Sequence, residues 1–547
     1  MTAPPTSRRA VAAPGLWRIR LAGLLLAATI VWYLPWLVTH MNPRALWLAV
    51  PFVLGSLILA ANLLLSVINN WHRSSPPERL VALRAEPPVA VVIPTSHETP
   101  EQVATTARSV LGQKWPGHRL RLIVSDDAHS PEMEHMVAEL AREFPTAAVR
   151  YHRPPSRGDP ERDGDAKAGN LNSALRYVGH AWPDVDFIEV RDADDEVVDP
   201  AFLRRCIGQL EDDDRIAFVQ TVKEARVSPG DPFDNNQPHF YRGAMLARHA
   251  ANAVFPCGSG LVWRREALLD IGGFPTWNLV EDLQSGIEAL RRGWRGVYLP
   301  VLGAIAQHAP EDIPVTYKQR GTWALDTMRL VFWRGLRGLG LRQRLHFLEL
   351  GLFYLQSFAM LTFMAAPVIG FAFVVYPVEA SVGQYSLHFW PFAASLELFL
   401  VALMAGQSYE RLWRARQMWA GLAPVYAKAC VLALVGGPHR KPTYEVTRKH
   451  DEFQWYWRET LVQTGFVLLL IGTLTYSLAT TSLVDKFDVG SAYWAIFFVI
   501  LVGGFVRKSW FGLDLRGRLA RGTRLPLLQR YAPRPQWLAT MRARRAR

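Results

Sequence analysis

Cysteine is scarce in this chain of 547 residues, and the common nucleotide-binding glycine motifs are missing. The three cysteines, Cys206, Cys257 and Cys430, have neither the spacing of a metal site nor that of a disulfide framework. The sequence contains no Gly-x-Gly-x-x-Gly and no Walker motif, which disfavours a dinucleotide-dependent enzyme and a P-loop ATPase. The cysteine spacing also disfavours a zinc protein, and no feature of the sequence requires an oxidising compartment.

Acidic residues are almost missing from the C-terminal end, although the net charge of the whole chain is +13. Beyond Val506, Asp514 is the only acidic residue among many arginines. A basic tail could bind nucleic acid, but this one follows an apolar segment. The excess of positive charge on the cytoplasmic side of membrane proteins, and attraction to anionic lipid, explain it more simply. We therefore expect the lipid bilayer, and no nucleic acid, as a partner.

Hydrophobic residues make up 50% of the chain and charged residues 20%, a mixture that predicts membrane spans joined to a soluble domain. Six apolar spans are predicted, at 21–39, 45–68, 348–376, 391–406, 464–479 and 493–506. Residues 377–390 contain no Lys or Arg and are placed outside, whereas basic segments flank the opposite ends of the spans. This asymmetry predicts a multi-pass protein of the cell (inner) membrane, with the N-terminus, the soluble domain and the C-terminus in the cytoplasm.

The predicted organisation follows from these spans and the segments between them. It comprises a disordered N-terminus (1–16), two transmembrane helices (17–75), a cytoplasmic α/β domain (87–315), interfacial helices (316–347), two transmembrane helices (348–406), an interfacial helix and loop (407–460), two transmembrane helices (461–508) and a basic cytoplasmic tail (509–547).

Strand and helix signals alternate in the α/β domain. Strands are predicted at 89–95, 120–127, 148–153 and 187–190, with helices at 101–111, 132–144 and 170–178. This alternation is typical of a mostly parallel, doubly wound, Rossmann-like sheet. Such sheets bind ligands where their strands end, and acidic or polar residues follow three of the predicted strands.

The stretch FIEVRDADD, residues 187–195, carries the clearest chemical signal. An apolar strand leads directly into Asp192, Asp194 and Asp195. Asp-x-Asp spacing allows two carboxylates to face one hard cation, and Mg²⁺ held by one or two carboxylates keeps positions for substrate phosphates. Taken alone, the cluster also fits an acidic, solvated loop.

Four further motifs gain meaning beside this acidic cluster. Asp126 and Asp127 end another strand, where they either start a helix or face a nucleotide. Lys167 precedes a helix, and is either a solvated lysine or part of a diphosphate site at the helix N-terminus. Cys257-Gly258-Ser259-Gly260 is either an ordinary tight turn or a place where the backbone approaches a ligand closely. Asp282 opens a helix, as an N-terminal acid or as a general base.

Taken in order, these stretches resemble the processive family 2 glycosyltransferases, specifically the cellulose synthase-like bacterial polysaccharide synthases. The resemblance runs from about residue 89 to the last span. Its motifs are PTSHE (94–98), Asp126-Asp127, KAGNLN (167–172), Asp192-Ala193-Asp194, PCGSG (256–260), Val280-Glu281-Asp282, QRGTW (319–323) and YEVTRK (444–449). Each motif is weak evidence alone, but their common order is specific.

The resemblance implies a GT-A fold for the α/β domain, inserted in an all-α multi-span membrane domain, and a role for each motif residue. Asp282 would be the catalytic base. The donor would contact Thr95, Glu98, Asp126, Asp127, Lys167, Asp192, Gln319 and Arg320. Asp194, with Asp192, would hold Mg²⁺ or Mn²⁺. The acceptor would contact Cys257, Gly258, Ser259, Glu281 and Trp323, and a gating loop would contain Tyr444, Val446, Thr447 and Lys449.

The implied reaction transfers a hexose from a UDP-sugar, most directly UDP-glucose, to the end of a growing β-glycan that leaves through the protein's own channel. A divalent ion would stabilise the charge on the leaving UDP as a Lewis acid, and a carboxylate free of the metal would deprotonate the attacking hydroxyl. One displacement inverts the α-linked donor. Accessory secretion subunits or a homo-oligomer are compatible partners.

Two departures from the family pattern bear on linkage, sugar identity and processivity. Thr322 stands where the family has an arginine before the tryptophan, and His97 where it usually has asparagine. The first favours an alternative, a non-processive enzyme that adds one sugar to a lipid acceptor. An inactive transport or scaffold subunit is a third interpretation, against which stands the presence of every expected carboxylate.

Overall fold

The computed structural model describes residues 11–12, 15–77, 79–80, 86–228, 231–404, 406–441, 456–480 and 488–511. The predicted gating residues Tyr444, Val446, Thr447 and Lys449 lie outside the described residues, as do residues 1–10 of the predicted disordered terminus and residues 512–547 of the basic tail.

The described elements alternate between helices and strands in the middle of the chain. The described N-terminal part contains two long helices and two two-residue strands, and the described C-terminal part is helical. The N-terminal elements are β1 (Val11–Ala12), α1 (Leu16–Thr39), α2 (Leu46–Asn69) and β2 (Ser74–Ser75). The α/β region contains β3 (Val89–Thr95), α3 (Pro100–Leu111), β4 (Leu120–Asp126), α4 (Pro131–Glu143), β5 (Ala148–His152), α5 (Ala166–Ala181), β6 (Phe187–Val190), β7 (Asp195–Glu196), α6 (Phe202–Leu210), β8 (Ile216–Ala225), α7 (Met245–Ala250), β9 (Leu261–Arg264), α8 (Arg265–Asp270), α9 (Glu281–Arg291) and β10 (Arg295–Ala306). The remaining helices are α10 (Ile313–Arg329), α11 (Leu341–Phe373), α12 (Val382–Leu403), α13 (Tyr409–Gly436), α14 (Leu461–Thr480) and α15 (Asp488–Phe511).

One eight-stranded sheet organises the α/β region, in the order β5-β4-β3-β6-β9-β8-β10-β7. Strands β5, β4, β3 and β6 are parallel, as predicted, and β8 is parallel to β10. Strand β9 is antiparallel to both β6 and β8, and β7 is antiparallel to β10. The sheet is therefore mixed in its second half. The chain enters β9 from the carboxyl edge, because Leu261 pairs with Val190 at the end of β6, so the preceding turn lies at the ligand-binding edge.

Both faces of the sheet are covered, which confirms the doubly wound architecture. In β3, Val89, Val91 and Ile93 pack with α3, α4 and α6 on one face. Ala90 and Val92 pack with α5 and α8 on the other. Adjacent residues of a strand point to opposite faces, so a strand buried on both sides reads as one continuous apolar run.

Helix starts in this region follow their sequence signals. The hydroxyl of Thr99 accepts a hydrogen bond from the backbone N–H of Gln102, and Oε1 of Gln102 accepts one from the backbone N–H of Thr99. A proline follows at the first helical position. Ser130 caps α4 and Asp312 caps α10 in the same manner. Such caps satisfy backbone donors that have no partner within the helix.

Seven of the described helices are long and apolar enough to cross a membrane, by length and composition. They include the six predicted spans and also Tyr409–Gly436, where the sequence predicts only an interfacial helix. Glu410, Arg411, Arg414 and Arg416 occupy its first turns, and the side chain of Arg416 pairs with Glu397 of α12. The helices indicate a multi-pass membrane protein; the side of the membrane on which each loop lies stays a prediction.

Candidate active site

A cavity of about 340 Å³ opens at the carboxyl edge of the sheet, where β3, β6 and β8 end. Its lining combines strand ends, the turn before β9 and one side of α10. Predicted site residues that line it are Thr95, Glu98, Asp127, Lys167, Asp192, Asp194, Cys257, Gln319, Arg320 and Trp323. The structure thus brings residues from distant motifs to one place.

The carboxylate of Asp192 lies between two ammonium groups. Nζ of Lys167 is 2.5 Å from its Oδ1, and Nζ of Lys223 is 2.6 Å from its Oδ2. Burial alone would raise the pKa of Asp192, but the two lysines outweigh it and hold that pKa well below its usual range. Lys223 also lies 2.8 Å from the fully buried Asp195. Asp192 is therefore charged at neutral pH.

Asp194 lines the same cavity and is 4% exposed. Its backbone carbonyl accepts a hydrogen bond from the N–H of Gln307 at 2.7 Å, which ties the Asp-x-Asp turn to the chain after β10. No cluster of three or more His, Cys, Asp or Glu with metal-binding geometry occurs among the residues that the structure describes. The two carboxylates of Asp192 and Asp194 fit Mg²⁺ or Mn²⁺ that arrives with a diphosphate. These ions take one or two carboxylates and complete their shell with phosphate oxygens and water.

Glu98 holds the loop after β3 in place. Its Oε2 accepts hydrogen bonds from the hydroxyl of Thr95 at 2.9 Å and from the backbone N–H groups of Ser96 and His97 at 2.9 and 3.2 Å. This oxygen is therefore engaged by the protein itself. Glu98 shapes the cavity wall, and Thr95 and Ser96 form that wall with it.

The two carboxylates of the first acidic pair have different surroundings. Asp126 accepts hydrogen bonds from the backbone N–H groups of Ala128 and Ser130 and from the hydroxyl of Tyr151. It is 1% exposed and does not line the cavity. The structure thus favours the helix-start interpretation for Asp126 and gives no geometric support to its predicted contact with the donor. Asp127 faces the cavity.

Asp127 is paired with Arg162, which belongs to none of the sequence motifs. Nη1 and Nη2 of Arg162 each lie 2.9 Å from one carboxylate oxygen of Asp127. Both side chains are nearly inaccessible to solvent. Arg162 also donates to the carbonyls of Pro155, Gly164 and Ala166. This single guanidinium closes the loop before α5 over the carboxyl edge of the sheet.

The turn before β9 joins the acidic strand end to α5. Ser259 is fully buried, and its hydroxyl accepts a hydrogen bond from the backbone N–H of Asp192 at 3.0 Å. The carbonyl of Gly258 accepts from Nζ of Lys167 at 2.7 Å. The buried carboxamide of Gln220 on β8 accepts from the N–H of Cys257 and donates to the carbonyl of Ser259. Ser259 thus supports the site from below the cavity surface, whereas Cys257 lines it.

Gly258 lies close to both Asp282 and Lys167. Its φ of +79° lies in the left-handed region, and an added Cβ would come within 3.2 Å of Oδ2 of Asp282 and 3.4 Å of Nζ of Lys167. A side chain there would be strained by the backbone angle and would press the carboxylate of Asp282 away by a few tenths of an ångström. Asp282 does not line the cavity itself; it lies directly behind this turn.

Glu281 and Asp282 lie in the first turn of α9. Oε1 of Glu281 is 3.8 Å from Nζ of Lys167, and the N–H of Leu283 donates to Oδ1 of Asp282 at 2.7 Å. Burial raises the pKa of Asp282 to about 6 and that of Glu281 to about 7, against the opposing effect of Lys167. A carboxylate with a pKa near neutrality is suited to accept a proton at physiological pH.

Helix α10 supplies the remaining wall of the cavity. Gln319, Arg320 and Trp323 line it, but Thr322 does not. The guanidinium of Arg320 lies 5.1 Å from the ring centre of Trp323 and donates to the carbonyl of Asp234 at 3.0 Å. Arg320 therefore reaches the cavity despite its two-residue offset from the missing arginine, and it anchors the loop around Asp234.

Two further contributors to the site were missed. Lys223 follows the apolar residues of β8, and the loop of residues 231–237 brings Asn235 and Gln237 to the cavity. The strand signal at 216–222 was readable, and a lysine directly after it resembles the other strand-end polar residues. The approach of residues 231–237 depends on Phe233, which packs with α10 and α13, and no local signal indicates that contact.

Comparison with known proteins identifies the α/β region. Residues 87–325 match the sequence profile described as "Glycosyltransferase like family 2". "Cellulose synthase 1" of Komagataeibacter xylinus is 30% identical over 359 residues, which cover 61% of this chain and 22% of that protein. "Cellulose synthase catalytic subunit [UDP-forming]" of Xanthomonas axonopodis pv. citri is 30% identical over 322 residues, 55% of this chain and 41% of that one. The chain spans less than half the length of these relatives.

A solved structure supports the fold. "Mannosyltransferase PcManGT from Pyrobaculum calidifontis in complex with GDP-Man and Mn2+" superposes with a TM-score of 0.50 and 20% identity, covering 71% of this chain and 99% of that one. At this identity the similarity concerns the fold alone. It agrees with a GT-A-like fold for the α/β region.

Proposed function

We propose that this chain, a cellulose synthase-like protein with a family 2 glycosyltransferase domain, is a metal-dependent, inverting enzyme that extends a β-glycan from a UDP-sugar. One observation carries the proposal: Asp192 and Asp194, Lys167 and Asp282 come from three separate motifs and meet around the turn Cys257–Gly260. This arrangement provides anionic ligands for a cation, a cation for phosphate, and a separate carboxylate.

The donor diphosphate would lie in the cavity. Asp194 and Asp192 are the residues that would hold Mg²⁺ or Mn²⁺, and the bound ion would act as a Lewis acid towards the departing UDP. Lys167 and the N-terminus of α5, which begins at Ala166, add positive charge at the same place. The name "UDP-forming" of several relatives and the Mn²⁺ of the mannosyltransferase complex support a UDP-sugar and a divalent ion.

Asp282 would take the proton of the attacking hydroxyl. Its pKa, raised to about 6 by burial, leaves it mostly ionised at pH 7 and still basic enough to accept a proton. Attack on the anomeric carbon from the side of Asp282, with UDP departing from the opposite face, would invert the configuration. Trp323 offers an apolar ring face on which the terminal sugar of the acceptor could stack.

The membrane helices favour a polymeric product. A growing, hydroxyl-rich chain cannot cross lipid unaided, and this catalytic domain is continuous with helices long enough to span a bilayer. We infer processive extension, UDP-glucose as the donor and secretion through a channel between these helices. The charge bias of the loops favours a cytoplasmic catalytic domain and the inner membrane.

A donor panel tests the reaction. The detergent-purified full chain with Mn²⁺ is expected to release UDP from one UDP-sugar, and linkage analysis would identify the bond. Asp282→Asn is expected to lower the rate at least about 100-fold, because the base loses its proton-accepting oxygen. Glu288→Gln, on the same helix but in a partly buried ion pair with Arg291 and not at the cavity, is the matched control and should stay active. Undiminished UDP release by Asp282→Asn would refute the assignment of the base.

A second candidate is the transfer of a single sugar to a lipid acceptor. Thr322 favours it, because the family's fixed positive charge is missing at that position and Arg320 is engaged by Asp234. The size of the product separates the two candidates. A glycolipid soluble in organic solvent would favour single transfer, and a high-mass glycan would favour the polymerase.

A further inference from the structure

A buried ion pair contacts the loop of residues 277–280, which leads into Glu281 and Asp282 at the start of α9. Asp326 and Arg329, one turn apart on α10, are 2.7 Å apart, and neither side chain is exposed to solvent. Neither residue lines the cavity. The pair does not belong to any motif noted in the sequence.

The carboxylate of Asp326 holds the loop through its backbone. Its Oδ2 accepts hydrogen bonds from the N–H of Leu279 at 2.7 Å and of Val280 at 3.2 Å. Val280 is the N-cap residue of α9, and its own side chain offers no cap. Asp326 therefore fixes, from a neighbouring helix, the backbone N–H groups of the N-cap residue and of the residue before it, at the point where α9 begins.

The guanidinium of Arg329 fixes the preceding residues. It donates to the carboxamide oxygen of Asn278 at 2.9 Å and to the carbonyl of Trp277 at 3.4 Å, and it lies 4.2 Å from the ring centre of Trp277. The same group donates to the carbonyl of Pro438 at 2.7 Å. Four consecutive residues, 277–280, are thus attached to one ion pair on α10.

We propose that Asp326 and Arg329 are positioning residues that set the place of Asp282 relative to the cavity. This inference rests on the proposed function, and it assigns a role to residues that touch neither donor nor acceptor. Helix α10 also carries Gln319, Arg320 and Trp323. The pair therefore keeps the base in register with the helix that carries Trp323, while Lys167, Asp192 and Asp194 stand on other elements.

The geometry predicts which kinetic constant changes. Lys167, Asp192 and Asp194 belong to α5 and to the turn after β6, and not to the segment 277–280, so donor binding should persist when the pair is broken. The base would then occupy several positions, and a displacement of about 1 Å can reduce turnover about 100-fold. We expect Arg329→Met to lower kcat at least tenfold and to change the Kd for UDP with Mn²⁺ less than twofold. Arg329→Lys keeps the charge but not the fork of donors, and should recover part of kcat.

A comparison in the Asp282→Asn background separates positioning from general damage. If Arg329 acts only through Asp282, then Asp282→Asn/Arg329→Met should be no slower than Asp282→Asn alone. Arg121→Met, which breaks the ion pair with the half-exposed Asp184, is the control for loss of an arginine far from the site. All variants are compared as detergent-purified full chains by thermal unfolding, UDP binding and transfer of the sugar that the wild type uses best.

The outcomes are distinct. A wild-type rate in folded Arg329→Met would overturn the proposal, as would equal losses of kcat and UDP affinity or a further loss in the double variant. Should Arg329→Met fail to fold, Asp326→Asn, which keeps an acceptor for the two loop amides, carries the same test. Failure of the wild type to use any UDP-sugar would instead refute the proposed function, and the role of the pair with it.

Discussion

Nζ of Lys223 lies 2.6 Å from Oδ2 of Asp192, while Lys167 occupies the other oxygen of the same carboxylate. Lys223 comes from β8 and Lys167 from α5. Asp192 is therefore held by two cations from separate elements, and its orientation towards the cavity depends on both.

Removal of the Lys223 ammonium group should affect both stability and donor binding. Lys223→Met leaves the fully buried Asp195 without the partner at 2.8 Å, and breaking a buried pair costs about 3–5 kcal/mol. We expect a lower melting temperature and a raised KM for the UDP-sugar. Thermal unfolding and initial rates measure both effects. Lys223→Met/Asp195→Asn should recover stability, and no recovery would contradict the pairing.

Glycine at position 258 should be required for activity for a reason beyond its backbone angle. Gly258→Ala places a Cβ within 3.2 Å of Asp282 and 3.4 Å of Lys167, so one of these groups must move. We expect kcat to fall at least tenfold.

Gly272→Ala is the matched control for this variant. Gly272 has a similar φ of +85°, but a Cβ there meets no atom within 4 Å. Both variants carry the left-handed backbone cost of about 1–2 kcal/mol, whereas only Gly258→Ala should lose turnover. Equal losses in the two variants would show that the crowding is irrelevant.

Activity should fall as the pH drops through about 6. Burial raises the pKa of Asp282 to about 6, so below this pH the base is protonated and cannot accept the hydroxyl proton. A profile of kcat/KM against pH in saturating Mn²⁺ measures the acidic limb. A profile that is flat between about pH 5 and 8 would contradict this role.

Stability should respond to pH in the opposite sense. The folded-state pKa values of Asp282 and Glu281 are raised to about 6 and 7 from ordinary values of 3.8 and 4.5. Folding therefore retains protons that the unfolded chain releases, and this contribution is lost as the pH rises from about 4 to about 7. Asp282→Asn should flatten the fall of the melting temperature across this range. The same fall in wild type and variant would contradict it.

The Asp127–Arg162 pair should contribute more to stability than an exposed pair. Both partners are nearly inaccessible, so Arg162→Met leaves a buried carboxylate and should cost about 3–5 kcal/mol. Arg121→Met breaks a pair whose acidic partner is half exposed, and should cost about 0–1 kcal/mol. Denaturation of the two variants compares these costs directly. A loss for Arg162→Met no larger than the control would show that Asp127 is solvated.

Asp194 should govern the response to divalent ions. If Asp194 holds the ion, Asp194→Asn raises the Mn²⁺ concentration needed for half-maximal rate, while Glu196→Gln, two residues along the same segment, leaves it unchanged. Titration of Mn²⁺ at fixed donor concentration measures both variants. Identical titrations for wild type and Asp194→Asn would assign the ion elsewhere.

Local patterns were sufficient to predict the first half of the α/β domain. The strands at 89–95, 120–126 and 148–152 and the helices between them appear where apolar runs and caps predicted them, because strands buried on both faces have a continuous apolar signature. The position of β9 was not predicted. Its direction depends on where the chain re-enters the sheet, and no property of the residues 261–264 encodes that.

Local patterns also did not predict which residue of a motif has which role. Asp126 and Asp127 are identical neighbours, yet one caps a turn and the other faces the cavity beside Arg162. Asp326 and Arg329 read as ordinary helix residues, although both are completely buried against the loop before α9. These differences arise from contacts between residues far apart in the chain.

The amino-acid order alone establishes the kind of protein: apolar runs long enough for a bilayer, strands that end in carboxylates, and motifs in the order typical of family 2 glycosyltransferases. These features depend only on residues that are close together in the sequence or on the order of motifs, so they can be recognised without knowledge of the tertiary structure. Tertiary packing decides which carboxylate faces the cavity, which cation pairs with it and what holds Asp282 in place. Each of these depends on the distance between groups that come together only when the sheet, the turn at Gly258 and α10 are assembled.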